Sequence, residues 1–509
     1  MHGRQPMAGA TVHDLAHGPR GVAHWQSDVW FVAMPRQQQH RQQSPSYRLP
    51  LIALPLSAAS CQARIPAARK HGPEGQTWAN PGLRLVLSRH NDAAAAWEAA
   101  LAELPKLAVA VQSTSTDVVS SSISNGGSGV SKGVLRRTLE ALPPFPLGQL
   151  LLLDSAGHSS AAPAHGEQQQ QDDHGEELWR AYLLLSFLAH AYMWCEPGPP
   201  PAVLPAVLAV PWARVAAAVG MPPILTYATY NLYNWRRLDP SAPVRLGNIV
   251  CLHNFLGGPD EEWFRLVHVD IEARAGPAVA GLARLQQAAA QDDAPSVLAG
   301  LRGVSSALRE MQGTLSRMGE KCDPYIYYQR VRTPMSGWRN NPDLPQGLIY
   351  EGVSDQPVQL YGETGAQSSV LHAFDAALGV QHEQVWLRDY LGTMVAHMPP
   401  PHRAFLAALA AANSNTGTGT GTAGSGQPAG ANVRTYVLGA GGGAGGELRD
   451  AYNEAVAEME KFRSQHKAFA YNYIAKWAKR ETTGTGGSDF MPALAGYRDT
   501  TQKHLLVPP

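Results

Sequence analysis

From Glu447 to Ala478 the chain sets apolar side chains at steps of three or four: Leu448, Tyr452, Ala455, Met459, Phe462, Phe469 and Tyr473. That spacing lines one face of a long helix, and so continuous a stripe is stable only when other elements cover it. His466 falls on the same face. An imidazole turned into an apolar interior needs a partner, either a hydrogen bond or a metal. Buried histidines are more often hydrogen-bonded core than ligands, and periodicity does not choose.

The remainder of the chain reads the same way. Helices are predicted over Asp92–Leu107, Glu176–Trp194, Pro222–Trp235 ending near Asp239-Pro240, Glu261–Ala275 and Ala278–Met318, the last two separated at Gly276-Pro277. No region sustains period-two alternation. Leu83–Leu87 and Arg434–Leu438 are the strand-like pieces. The expected fold class is mainly α, with helices crossing around a central cavity.

Three low-complexity segments punctuate this pattern: Ser113–Ser131, Gly157–Asp173 and Asn413–Ala431. Their composition lacks the apolar content to pack, and they read as surface insertions without structure. At 509 residues more than one domain is expected. The division is an N-terminal extension over 1–46, a small domain over 47–215 containing insertions 113–131 and 157–173, and a large helical domain over 216–509 containing insertion 413–431.

A formal net charge of zero gives no reason to expect nucleic acid or an anionic membrane as partner. No apolar run reaches the roughly 18–20 residues of a membrane span. Cys61, Cys195, Cys251 and Cys322 are scattered, which argues against a disulfide framework and favours a reducing compartment. The expectation is cytoplasmic, with organellar targeting by the N-terminal extension left open.

Single motifs are weak. Gly439–Gly446 (GAGGGAGG) lacks the βαβ unit of a dinucleotide fingerprint and reads as a helix-entry loop. One histidine cannot build a zinc site, but a porphyrin brings four nitrogens of its own, so a lone seam histidine is compatible with haem. His268 has two readings, cavity wall or ordinary helix residue. Tyr327-Tyr328, one turn before Arg332, form an aromatic pocket with a carboxylate clamp or simply core beside surface. Gly484–Asp489 is a lid or a plain linker.

Together, and in order, these pieces resemble the indoleamine 2,3-dioxygenase family. The matching stretches are Pro222–Ala228 with Asn234-Trp235, Phe264–Glu272, Tyr327–Trp338 with Asn341-Pro342, Gly347–Gly352, Gln367–Ser369 with Phe374-Asp375, Met398–Leu406, Arg463–His466 and Gly484–Asp489. An ordered set over roughly three hundred residues is specific where each motif alone is not. The resemblance implies a mainly α, two-domain haem protein whose large C-terminal helical domain encloses the haem. It implies haem b, one per chain, O2 as co-substrate, an electron donor that keeps the iron ferrous, and a monomeric chain. The activity implied is insertion of O2 across the indole 2,3-bond of L-tryptophan to give N-formylkynurenine. The alternative is a haem-based oxygen-binding or sensing protein on the same scaffold.

Carried over residue by residue, His466 matches the proximal iron ligand and Arg332 the arginine for the substrate carboxylate. Tyr227, Tyr230, Phe264, Tyr327 and Tyr328 match pocket positions, and Thr485 the loop threonine near the substrate ammonium. Thr364 and Gly365 match the segment over the haem edge, and Asp375 and Arg463 the pair on its proximal side. The chain departs from the vertebrate pattern at His268, which replaces a serine and is assigned a catalytic position with Arg332. It departs at Tyr230 and Asn231, which replace a small pair and are expected to crowd the far wall, and at Tyr327 and Tyr328, which replace phenylalanines. These departures imply weak affinity for tryptophan.

Overall fold

Among the described residues every long element is a helix, as the periodicity predicts. The computed structural model describes residues 92–118, 133–152, 165–414, 432–440, 442–478, 484–487 and 489–506. The N-terminal extension, the strand expected at Leu83–Leu87 and the middle of each low-complexity segment lie outside the described residues. In chain order the α-helices are α1 (Asp92–Val118), α2 (Val134–Glu140), α3 (Leu147–Leu152), α4 (His165–Trp194), α5 (Ala206–Ala218), α6 (Pro259–Ala290) and α7 (Ala294–Ser316). They continue with α8 (Pro324–Ile326), α9 (Ser369–Leu378), α10 (Val385–Val395), α11 (Pro400–Ser414), α12 (Val433–Gly439), α13 (Gly442–Ala470) and α14 (Phe490–Gln502). Strands are short. β1 (Val203–Leu204) runs parallel to β4 (Leu348–Tyr350), which pairs antiparallel with β5 (Ser354–Val358). β2 (Trp235–Arg237) and β3 (Ile249–Cys251) form a separate antiparallel pair.

The stripe on α13 is covered as it requires. Leu448, Tyr452, Ala455, Met459, Phe462 and Tyr473 are buried, and α13 packs chiefly on α7 and α14 while α7 packs on α6. Local chemistry fixes the ends of these helices. The Asp293 carboxylate accepts the Ser296 N–H at 3.1 Å and caps α7. At the start of α6, Glu261 turns back and accepts the N–H groups of Phe255, Leu256 and Gly257, a negative charge placed where the helix dipole favours it.

Several expectations need correction. α6 runs through Gly276-Pro277 without a break. Pro277 is exposed, so the hydrogen bond it forfeits lies on the solvent side. Arg434–Leu438 is helical, not a strand: Val433 and Val437, four residues apart, bury one face of α12, and the Asn432 side chain caps it. The glycine-rich segment from Gly442 already belongs to α13. Pro222–Trp235 is not one helix. The Asn234 side chain both donates to the His253 carbonyl and accepts the His253 N–H, which holds the chain extended into β2. α1 continues to Val118 and α4 begins at His165, so both enter segments expected to lack structure.

Three short stretches widen from α to π geometry, with hydrogen bonds spanning five residues: Tyr233 N–H to Ala228 O, Arg332 N–H to Tyr327 O, and Lys476 N–H to Tyr471 O. Such widened turns often mark functional sites. Here Tyr327 and Tyr473, which belong to two of them, line one cavity.

Candidate functional site

The cavity lies between α13 and α6, closed by the turn at Tyr327, the segment Glu363–Ser368, α9, α10, α14 and the loop Gly484–Gly486. It holds about 1410 Å³ of empty space, part of it open to solvent. Its lining is mainly apolar, with a small number of polar groups among the aromatic and aliphatic side chains, as binding sites for organic ligands are.

His466 stands on the α13 wall. Burial, with a smaller contribution from His268 across the cavity, pushes its imidazole down to about 4, so it is neutral at physiological pH. Its ring takes no hydrogen bond from the described residues. The other cavity histidines each hold a backbone carbonyl through one ring nitrogen. His268 Nδ1 lies 2.7 Å from the Phe264 carbonyl and His372 Nε2 lies 3.0 Å from the Ala366 carbonyl. Since a carbonyl oxygen only accepts, His268 carries its proton on Nδ1 and Nε2 is left as the acceptor. Burial lowers its pKa, which keeps it neutral. Among the described residues no three metal-ligating side chains converge. A neutral, unbonded imidazole in a large apolar cavity fits a cofactor that supplies its own equatorial nitrogens and needs one axial ligand.

The wall facing His466 is aromatic. Phe264 lies 4.5 Å from His268 and 4.7 Å from Tyr327, and Tyr327 meets Tyr473 edge-on at 5.7 Å. These rings sit at distances where offset and edge-to-face contacts are favourable. Beside α13, Asp375 Oδ2 accepts both Arg463 Nη2 at 2.7 Å and His382 Nε2 at 3.0 Å. Burial alone would raise the Asp375 carboxyl, but Arg463 and His382 overcome it and hold the group down to about 2.

Thr485 closes the mouth. Its Oγ1 donates to the Glu363 carbonyl at 2.8 Å, its own carbonyl accepts the Gly337 N–H, and Glu363 N–H donates to the Met335 carbonyl. The three segments meet at two glycines. A Cβ at Gly337 would overlap the backbone of Gly362, and one at Gly362 would overlap Gly337 and Met335.

Of the residues expected to form the site, Phe264, His268, Tyr327, Thr364, Gly365, Asp375, Arg463, His466 and Thr485 line this cavity. Tyr227, Tyr230, Tyr328 and Arg332 do not. Tyr227 is buried behind His268, its hydroxyl bonded to Glu272. Tyr230 does not crowd the far wall: it is held among Phe187 and Phe255, with the Arg265 guanidinium 4.4 Å over its ring. Arg332 lies over Tyr328 at 5.6 Å, and its charge is felt by Tyr327. Sequence reasoning missed Glu363, a buried carboxyl on the cavity wall that Asn231 Nδ2 reaches at 3.0 Å. Its one signal was adjacency to Thr364 and Gly365. Burial pushes its pKa up to about 8.

Residues 166–504 match the family model described as indoleamine 2,3-dioxygenase. The chain is 33% identical over 345 residues to indoleamine 2,3-dioxygenase 2 of Homo sapiens, covering 64% of this chain and 79% of that relative. It is 32% identical over 350 residues to indoleamine 2,3-dioxygenase 1 of Rattus norvegicus, covering 65% and 81%. It is 30% identical over 374 residues to the indoleamine 2,3-dioxygenase of Saccharomyces cerevisiae, covering 64% and 78%. With a histidine-walled cavity in a mainly α frame and a family match across most of the described residues, the chain belongs to the indoleamine 2,3-dioxygenase family of haem-dependent dioxygenases.

Proposed function

We propose that this protein binds one haem b through His466 and inserts both atoms of O2 across the indole 2,3-bond of L-tryptophan, giving N-formylkynurenine. The observation that carries the reading is the state of His466: neutral, without a hydrogen bond from the described residues, and facing a cavity lined mainly by apolar side chains. When bound, the haem supplies the site at which O2 is held and activated. An electron donor that keeps the iron ferrous is part of the proposal, as is the division of the chain at residues 215–216.

The protein's own share is positioning. Phe264 and Tyr327 hold the indole flat and keep water out. His268, with Nε2 as acceptor, suits the indole N–H better than an oxygen that itself needs a donor. Thr364, Gly365 and the Asp375–Arg463 pair border the cofactor edge. Thr485, hydrogen-bonded in place, covers the substrate. Arg332 takes the substrate carboxylate only by leaving its place over Tyr328, which accounts for the expected weak affinity for tryptophan.

The test is turnover. Reduced, haem-loaded protein with 18O2 and L-tryptophan should yield N-formylkynurenine carrying two labelled oxygens. A protein that binds haem normally but forms no such product refutes the substrate assignment. The placement of Arg332 outside the cavity wall also favours a second reading, an oxygen-binding protein. A stable oxy spectrum unchanged by tryptophan would support that reading instead.

A further inference from the structure

His382, in the turn between α9 and α10, is a buried side chain without a part in the proposed chemistry. It is 8% exposed and stands behind the cavity wall rather than on it. Its Nε2 lies 3.0 Å from Asp375 Oδ2, the same oxygen that accepts Arg463 Nη2 at 2.7 Å. A carboxylate only accepts, so His382 carries a proton on Nε2 and donates it. The chain brings the ring there by ending α9 abruptly. Gly379 takes the left-handed conformation at φ 70°, and the N–H groups of Gly379 and Val380 return to the carbonyls of Ala376 and Asp375. Gln381 N–H then donates to His504 Nε2, and Tyr497 on α14 packs edge-on against the His382 ring at 5.4 Å. Asp375 Oδ1 is buried without a hydrogen bond among the described residues. Both donors therefore share one oxygen, and the other is left bare.

Resting on the dioxygenase reading, we propose that His382 is a positioning residue for the cofactor: by donating to Asp375 it sets how much of the Arg463 charge reaches the cavity, and so raises the reduction potential of the haem. The connection runs from behind the wall to its surface. Asp375 and Arg463 line the cavity together with His466, and Arg463 precedes His466 by three residues on α13. Thr501 Oγ1 accepts Arg463 Nη1 and holds the guanidinium from a second direction. The bond from His382 draws off part of the negative charge on Oδ2 and fixes the carboxylate so that it meets Arg463 through a single oxygen. An arginine and a carboxylate left to themselves favour two parallel bonds. Loss of the His382 donor frees Asp375 to take that geometry and gives Arg463 the undiluted anion. Both changes make the cavity less positive. Burial works against ionisation of Asp375, and Arg463 counters it more strongly than His382 does, so the carboxylate remains an anion at pH 7 without His382. In a water-poor interior such a change of field is felt strongly. A less positive cavity favours ferric over ferrous iron, since the ferrous form carries one positive charge fewer.

The experiment measures the midpoint potential of the haem-loaded protein at pH 7 by spectroelectrochemical titration. Wild type is compared with His382→Leu, which has no donor, and His382→Gln, whose amide N–H replaces it. His382→Leu should shift the midpoint to lower potential, and His382→Gln should stay close to wild type. In an Asp375→Asn background the Leu substitution should move the midpoint no further, because the path through the carboxylate is gone. A second measurement does not depend on the Leu variant folding. In 15N-histidine-labelled protein without haem, one imidazole that is missing from His382→Gln should be the Nε2–H tautomer, with a proton protected from exchange. A midpoint unmoved by His382→Leu, equal shifts for Leu and Gln, an undiminished shift in the Asp375→Asn background, or an Nδ1–H tautomer at His382 overturns the inference while leaving the dioxygenase reading intact. Protein that takes up no haem overturns both.

Discussion

Replacing Glu363 by Gln should stabilise the protein, and the gain should grow with pH. An unfolded glutamate ionises near 4.5, whereas burial keeps this one protonated to about 8. Between those values the unfolded state has lost a proton that the folded state retains, so stability falls by about 1.4 kcal/mol per pH unit. At pH 7 the gap of two and a half units costs about 3 kcal/mol; above pH 8 the loss levels off. Gln keeps an oxygen for Asn231 and never ionises, so it escapes this cost. With an unfolding entropy of roughly 2.1 cal/mol/K per residue over roughly 370 described residues, 3 kcal/mol corresponds to about 4 °C in Tm. The assay is the difference in Tm between wild type and Glu363→Gln, without substrate, at intervals from pH 5 to 8.5. The difference should be near zero at the acid end, rise steadily and flatten near pH 8. A difference that does not change with pH would show that the carboxyl is ionised in the folded protein and would refute the reasoning.

Other outcomes follow from the same geometry. His466→Ala should leave far-UV circular dichroism intact and remove the Soret band of haem-reconstituted protein, because it takes the proposed axial ligand off the α13 wall. Arg463→Met leaves the buried Asp375 carboxylate with His382 as its remaining donor among the described residues and should cost about 3–5 kcal/mol in denaturant unfolding. With Arg463 present, the stability that Asp375 contributes is complete above the usual carboxylate range and is lost as pH falls toward about 2, a slope the variant should weaken. Gly362→Ala forces a Cβ into the backbone of Gly337 and Met335; it should cost about 1–3 kcal/mol and weaken indole binding more than haem retention, measured by separate titrations.

Sequence made the α13 stripe, and with it His466, plain, because a helix face repeats and a burial pattern shows through. It was misleading at Gly276-Pro277, where tertiary packing on α7 outweighs a single lost hydrogen bond, and at Arg434–Leu438, too short for periodicity to tell helix from strand. The cavity residues from α6 and α13 were recoverable because each sits on a regular element. Tyr230 and Arg332 were not, since a widened turn follows Tyr227 and another follows Ile326, and side chains after such a turn no longer point where α geometry would send them. Glu363 eluded sequence reasoning for a different reason. It lies on an irregular segment, and nothing local announces that Asn231, more than a hundred residues away, will reach it.

The three widened turns have an evolutionary consequence. Each is in effect an α-helix carrying one surplus residue, and one residue is worth about 100° of rotation about the helix axis. Losing a residue from Tyr471–Ala475 would restore α geometry and swing everything beyond it by that angle. Trp477, whose ring now meets Tyr325 edge-on at 5.4 Å, would be carried off its partner. Rings beyond such a joint can thus be re-aimed by an insertion or deletion of one residue without changing the identity of any of them.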